Sequence, residues 1–520
     1  MKKKSFDIVA LFLLLGVFMS ALDNGIISAA LTTINNSFDI DAQMGSWGIT
    51  IYTLGMAVTT PIAGKLADMY GRKKVFIAEV VLFGLGSLLV ALSPNYIFFI
   101  VARLIQSLGG GGLFVIASSH IISTYSKEKQ GSMLGGLGAM NGIASVLGPN
   151  IGSLLINVTG PWHWLFLINV PFAILIVFFV AFKMKETQDK VKTKIDKYAI
   201  LMFSISTLLV MFAINNVQTG NIAGSILSFA VIGLFILAIL GYGIMIFIEY
   251  MNENKDVDSF LPFKLLKNPT FSVTLIMGIL SGMLIGAIIF IPSFVENVLN
   301  VKADNSGFWM TPLALASGVG ASMGGKIVDK KGPIFALISA SIISIIGYGG
   351  LALFTFSPLP FFIFSIIAGI GFGFTIGAPM TVLATRSAHS NKNNSTVIGT
   401  LSVSRQIGIT ISPTIFSTFI AIGFSKMGEK IKDNMMEAGF TMKDVPASVM
   451  RTMSEKGSSQ GHIIDKIKDI PNPDLKDAML NGIESATHLA YMPIFLTAAI
   501  ASLGILALVL IFKKNFEEAK

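Results

Sequence analysis

The feature that most constrains this chain is a train of apolar runs, each close to the roughly 20 residues that an α-helix needs to cross a bilayer. Fourteen such runs can be read off the 520-residue sequence, at 8–31, 44–64, 75–93, 96–122, 131–157, 164–183, 197–214, 222–248, 270–295, 307–325, 334–356, 359–384, 395–423 and 489–512. Lipid offers no partner for a bare backbone amide, and the alternating ten-residue pattern of a transmembrane barrel is absent, so the runs are expected as helices. Only 13% of residues are charged while 53% are hydrophobic, against about 25% charged in an ordinary soluble domain. The fold class is therefore all-α integral membrane.

Charge sets the expected orientation. Lysines and arginines gather after the even-numbered runs, as at Lys65 and Arg72–Lys74, Lys127 and Lys129, Lys183–Lys197, Lys326 and Lys330–Lys331, and Arg386 and Lys392, with Lys302 an exception. The positive-inside rule then places both termini and these loops in the cytoplasm. The net charge of +9 follows from that topology and calls for no nucleic-acid partner. Met1–Lys4 and the apolar run behind it read as a retained first span, since the run is too long for a signal peptide and contains Asp23. The segment 425–488 falls outside. Helical amphipathic spacing over 424–439 and 474–487 predicts a hairpin resting on the outer mouth.

The chain contains no cysteine and only scattered histidines, which excludes disulfides, thiolate chemistry and any recognisable metal ligand set. Gly109–Gly112 and Gly369–Gly373 lack the Lys-Ser/Thr of a phosphate loop. No cofactor and no enzymatic activity are expected, and an ion gradient must drive any transport.

The turn Gly64-Lys65-Leu66-Ala67-Asp68-Met69-Tyr70-Gly71-Arg72 returns, shortened, as Gly325-Lys326-Ile327-Val328-Asp329-Lys330-Lys331-Gly332. Gly135 and Pro149 are echoed by Gly399 and Pro413 at a similar offset. Runs one to six therefore match runs nine to fourteen. The expected organisation is an N-terminal six-helix bundle (1–190), a linker with two inserted helices (191–268), and a C-terminal six-helix bundle (269–520) that includes the hairpin 425–488. Gly64, Asp68, Gly71, Arg72, Gly325, Asp329 and Gly332 are read as a cytoplasmic gate that latches each half.

Four residues are expected to carry chemistry inside the spans. Asp23 lies about 22 Å along the first helix at about 1.5 Å per residue, where a carboxylate is costly unless it faces the protein interior. Arg103 cannot shed its proton and needs a partner, with Gln106 one turn away. Arg405 is the second arginine within a span. These residues are assigned to proton coupling or cation recognition. Glu79, one turn past Lys74, is grouped with the cytoplasmic latch. In the fifth run, Gly138, Gly142, Gly148 and Gly152 permit close helix contact, and Pro149 bends it.

These motifs resemble the major facilitator superfamily, and within it the fourteen-span drug:proton antiporters of the EmrB/QacA type. The resemblance rests on Leu22–Leu31, Gly64–Lys74, Arg103 with Gln106, Gly138–Gly152, Trp162–Pro171 and Leu261–Phe271. It implies two six-helix bundles plus two inserted linking helices, and proton-coupled efflux of amphipathic, often cationic drugs by alternating access, with a link to antibiotic resistance. The alternative is a dedicated exporter or importer of one metabolite or lipid, such as a vitamin or a glycolipid precursor. The partners implied are a small amphipathic substrate, protons and membrane lipid, with the chain acting as a monomer in a bacterial cell membrane.

Overall fold

The computed structural model describes residues 8–40, 42–186, 194–217, 224–225, 227–252, 257–258, 260–261, 263–299, 301, 306–355, 357–387, 394–447, 449–450, 464 and 466–518. Each of the fourteen apolar runs is helical over most of its described residues. They are helix 1 (Ile8–Phe38), helix 2 (Ala42–Tyr70), helix 3 (Arg72–Ala91), helix 4 (Tyr96–Gly110 continued by Leu113–Thr124), helix 5 (Lys127–Thr159) and helix 6 (Trp164–Leu167 continued by Asn169–Lys183). Next come helix 7 (Lys197–Asn215), helix 8 (Phe229–Asn252), helix 9 (Pro269–Ile289) and helix 10 (Thr311–Lys331). Helix 11 (Pro333–Leu353), helix 12 (Pro358–Ile376 continued by Ala378–Ser387), helix 13 (Asn394–Ser425) and helix 14 (Pro473–Ile511) complete the set.

Among the described residues, 11 helices are long and apolar enough to cross a membrane, or 12 when the bent helix 5 counts as one span. Helices 2 and 10 fall outside that number. Both are rich in glycine and small polar residues, which suits helices packed against protein more than against lipid.

Packing repeats with an offset of eight helices. Helix 1 lies on helix 5, and helix 3 on helices 4 and 6; correspondingly, helix 9 lies on helix 13, and helix 11 on helices 12 and 14. The two sets meet along two related seams, helix 5 against helix 10 and helix 2 against helix 13. The expected limit between residues 190 and 191 lies outside the described residues, as do Lys302 and Lys392.

Helices 7 and 8 have no counterpart in this repeat. Helix 7 packs on helix 8 and also on both helix 2 and helix 13, across one seam. Met211 clusters with Leu54 and Ala57, and the rings of Phe212 and Trp47 lie 6.5 Å apart. A short parallel ladder joins Lys194–Ile195 to Val257–Asp258. Asp196 caps helix 7 at the Ala199 amide (2.9 Å) and accepts from Asn252 at the end of helix 8 (2.5 Å).

The hairpin expectation needs one correction. Met427–Glu437 is a separate helix, but 474–487 is the N-terminal part of helix 14, which runs unbroken for 39 residues. Pro473 occupies the first turn, where its missing N–H costs nothing, so the helix starts there. Ile431 and Met435 pack on Leu475, Ala478, Met479 and Ile483. Gly482 permits the contact, because a Cβ there would lie 2.5 Å from the Ile431 Cα.

Candidate functional site

Three of the four expected site residues meet in a buried polar cluster in the first bundle. Arg103 and Gln106 are three residues apart on helix 4 and so share a face. Gly86 brings helix 3 against that face: a Cβ there would lie 2.4 Å from the Gln106 Cα. On helix 1, Gly25 abuts helix 5, where a Cβ would fall 2.7 Å from the Ser145 carbonyl oxygen. Asp23, two residues away and roughly opposite on the helix, therefore points to helix 4.

The geometry is that of a buried ion pair in which Arg103 uses Nη1 and Nε, while its Nη2 has no hydrogen-bond partner among the described residues. Arg103 Nη1 donates to Asp23 Oδ2 at 2.7 Å and to Gln106 Oε1 at 2.6 Å, and its Nε donates to the Gly48 carbonyl at 3.3 Å. Asp23 Oδ1 accepts from Gln106 Nε2 at 2.9 Å and from Asn169 Nδ2 at 3.2 Å. Ser87 Oγ accepts from both amides, at 2.8 and 3.4 Å. The guanidinium also lies over the Tyr52 ring, 4.1 Å from its centroid. Asp23, Arg103, Gln106 and Ser87 are all fully buried. Burial of a charge pair is tolerable only when most of its polar atoms find partners, as those of Asp23 do here.

Sequence reasoning missed Ser87, Asn169 and Tyr52. Asn169 had a signal, as an amide inside an apolar run, but Ser87 looks like any packing serine. Arg405 is not part of the cluster. It sits on helix 13 in the other bundle, with Ser281 Oγ on helix 9 at 3.4 Å from its Nε.

Glu79 is likewise not in the latch. Its carboxylate accepts from the Gly112 amide at 2.9 Å, capping the second segment of helix 4 where that helix breaks after Gly110. The break frees further carbonyls, which accept from Ser20 (Gly110, 3.2 Å) and Thr60 (Gly111, 3.0 Å).

The repeated turns make two matching contacts across the bundles. Asp68 at the end of helix 2 accepts from the Ser395 and Thr396 amides at 3.4 and 3.1 Å, in the first turn of helix 13. Asp329 at the end of helix 10 accepts from the Gly131 and Ser132 amides at 2.6 and 2.8 Å, in the early turns of helix 5, and from the Ser132 hydroxyl. Asp68 thus sits at the positive end of helix 13, whereas Asp329 reaches the amides of the fifth and sixth residues of helix 5. Arg72 supports the first contact, 3.5 Å from Asp68 and donating to Ser119 at 2.7 Å. Ser119 Oγ in turn accepts from the Ser395 hydroxyl at 2.6 Å.

The motif glycines have separate duties. Gly71 and Gly332 adopt φ of 99° and 86°, which an L side chain strains to reach. Gly64 and Gly325 allow contact: a Cβ would lie 2.5 Å from the Ser395 carbonyl oxygen and 2.1 Å from that of Gly131.

Helix 5 supplies the other seam. It bends by 47° between Lys127–Ser145 and Leu147–Thr159, where Pro149 cannot bond the Ser145 carbonyl. Below the bend, Gly135, Gly138 and Gly142 face the second bundle; Cβ atoms there would lie 2.4 Å from the Ala321 oxygen, 2.9 Å from the Gly377 Cα and 3.0 Å from the Ser317 hydroxyl. Above it, Gly148 faces Gly25 of helix 1 instead, and Gly152 is buried.

Residues 13–413 match the sequence profile of the Major Facilitator Superfamily. An uncharacterised MFS-type transporter of Bacillus subtilis (strain 168), YfiU, is 49% identical over 95% of this chain and 94% of its own length. Multidrug resistance protein 3 of the same organism is 31% identical over 96% of this chain and 94% of its own. Among solved structures, the proton:xylose symporter XylE superposes with a TM-score of 0.55, covering 96% of this chain and 95% of that one at 13% identity. Two packed sets of helices related by a repeated turn, and a profile match over most of the length, lead to one conclusion: this chain is a member of the major facilitator superfamily and a multi-pass membrane transporter.

Proposed function

We propose that the protein is a proton-coupled secondary exporter of amphipathic small molecules, a fourteen-span drug:proton antiporter working by alternating access. The observation that carries this reading is Asp23, a buried carboxylate whose charge is matched by one guanidinium. A proton on Asp23 removes the charge that holds Arg103 at 2.7 Å, leaving the guanidinium to re-partner and helices 1 and 4 free to shift. The two cross-bundle carboxylate contacts supply the element that has two states. With both made, the end carrying Asp68 and Asp329 is closed. In the proposed orientation that end is cytoplasmic, so the described conformer would release substrate outward.

The likeness to a multidrug resistance protein supports export of more than one compound. The monomer is the proposed functional unit. The test is proton flux in proteoliposomes with an imposed pH gradient. Wild-type protein should show flux that depends on added drug, and Asp23→Asn should abolish it. Undiminished flux in the variant would remove Asp23 from the mechanism, and flux confined to one metabolite would assign the chain to dedicated transport instead.

A further inference from the structure

The two arginines inside the helical bundles have unequal surroundings. Arg103 has a carboxylate, an amide, a carbonyl and an aromatic ring. Arg405 is more than nine-tenths buried, at 8% exposure, yet among the described residues its only hydrogen bond is from Nε to Ser281 Oγ at 3.4 Å. Among the described residues no carboxylate pairs with it.

The acids on the elements packed against helix 13 are engaged or remote. Asp68 holds the helix 13 amide terminus, and Asp196 holds Ala199 and Asn252. Asp474, Asp477 and Glu484 lie on the N-terminal part of helix 14. Arg405 itself stands about 15 Å along helix 13 from Ser395 at 1.5 Å per residue, near the middle of a roughly 30 Å hydrocarbon layer.

A guanidinium at that depth cannot lose its charge and cannot face lipid. Helix 13 presents Ser404, Gly408 and Ser412 to the glycines of helix 9, while Ser402, Gln406 and Ile409 beside Arg405 remain half-exposed. The Asp23–Arg103 pair is neutral as a unit, so Arg405 leaves the interior at mid-depth with an unmatched positive charge.

We propose that Arg405, with Gln406 and Ser281 beside it, is the binding site for an anionic group on the substrate, so that the transported compounds are amphipathic acids or zwitterions. The planar fork of arginine suits a carboxylate, sulfonate or phosphate. This rests on the transport reading only in calling the anion a substrate, because binding at Arg405 requires no proton gradient.

The test compares two fluorescent amphiphiles with the same naphthalene body, one ending in a carboxylate and one in a trimethylammonium. Binding is measured to the full chain in phosphatidylcholine nanodiscs. The carboxylate should bind at least about tenfold more tightly. Arg405→Gln should weaken it by about 10- to 100-fold, the range of a lost charged hydrogen bond, and leave the ammonium probe unaffected. Arg405→Lys, which keeps the charge but loses the fork, should weaken it severalfold, and this carries the test if the glutamine variant does not fold. Equal carboxylate affinity in wild type and either variant, or preference for the ammonium, would overturn the proposal. Displacement of the probe when phosphatidylglycerol replaces phosphatidylcholine would do so too, by assigning the guanidinium to lipid headgroups. Failure of the Asp23 flux experiment with this binding result intact would count against proton coupling alone.

Discussion

At the residue scale, the decisive arrangement is one carboxylate shared among an arginine and two amides. Arg103→Lys should fail where charge alone would suffice, since a lysine cannot reach Asp23, Gln106 and the Gly48 carbonyl from one planar group. A loss of at least about tenfold in drug-dependent transport is expected, on the scale of one or two charge-assisted hydrogen bonds. Asn169→Ala should give a smaller loss, because Asp23 Oδ1 keeps its bond to Gln106. Transport by Asn169→Ala as poor as by Arg103→Lys would place the amide in the mechanism and not merely beside it. Asp23, Arg103 and Gln106 are legible in the sequence because a charge or an amide in an apolar run stands out against its neighbours. Ser87 and Tyr52 are not, since their types are common in membrane helices and only the approach of helix 3 and helix 2 gives them a role.

At the element scale, helix 5 joins the two bundles through one glycine face and lies against helix 1 through another, with a proline bend between. Gly135→Val should destabilise the conformer with both latches made, because its Cβ meets a backbone oxygen that cannot give way. Transport should fall by about tenfold or more while a detergent-solubilised sample remains folded. Unchanged transport would show that the two helices need not come so close. Pro149→Ala should restore the bond to Ser145 and straighten the helix, measurable as a longer distance between spin labels placed at its two ends. The glycine and proline pattern was readable as a bent, close-packing helix. Which glycine meets which partner was not, because Gly138 and Gly148 are alike as residues and only the packing shows that one faces helix 12 and the other helix 1.

At the scale of the whole molecule, the two cross-bundle carboxylate contacts are related by the packing repeat, and in the proposed mechanism they close one end together. Asp68→Asn together with Asp329→Asn should open that end, since each change removes a charged acceptor from helix amides of the other half, roughly 1–2 kcal/mol apiece. The chain contains no natural cysteine, so a single cysteine at Ser395 reports the opening without background. Labelling should rise about tenfold or more in the double variant, and no change in labelling would mean that the seams hold the closed form without the latches. Helix 7, packed across the seam between helices 2 and 13, makes a further prediction. Met211→Asp should weaken transport by disturbing that seam, whereas a charge on the half-exposed lipid-side face of helix 8 should affect insertion more than turnover.

The sequence by itself determined that this chain is helical, membrane-embedded and duplicated, because run length, charge asymmetry and a repeated motif are properties of the chain read in one dimension. It also determined where the two repeated turns lie, since φ values above zero select glycine at Gly71 and Gly332 wherever the helices end up. Only the tertiary structure decided that Asp68 reaches helix 13 and Asp329 helix 5, that Glu79 caps a broken helix 4 and does not join them, and that Arg103 meets a carboxylate while, among the described residues, Arg405 meets none. Those outcomes depend on which helix faces reach one another across hundreds of residues. A buried charge announces only that it needs a partner, and packing chooses the partner.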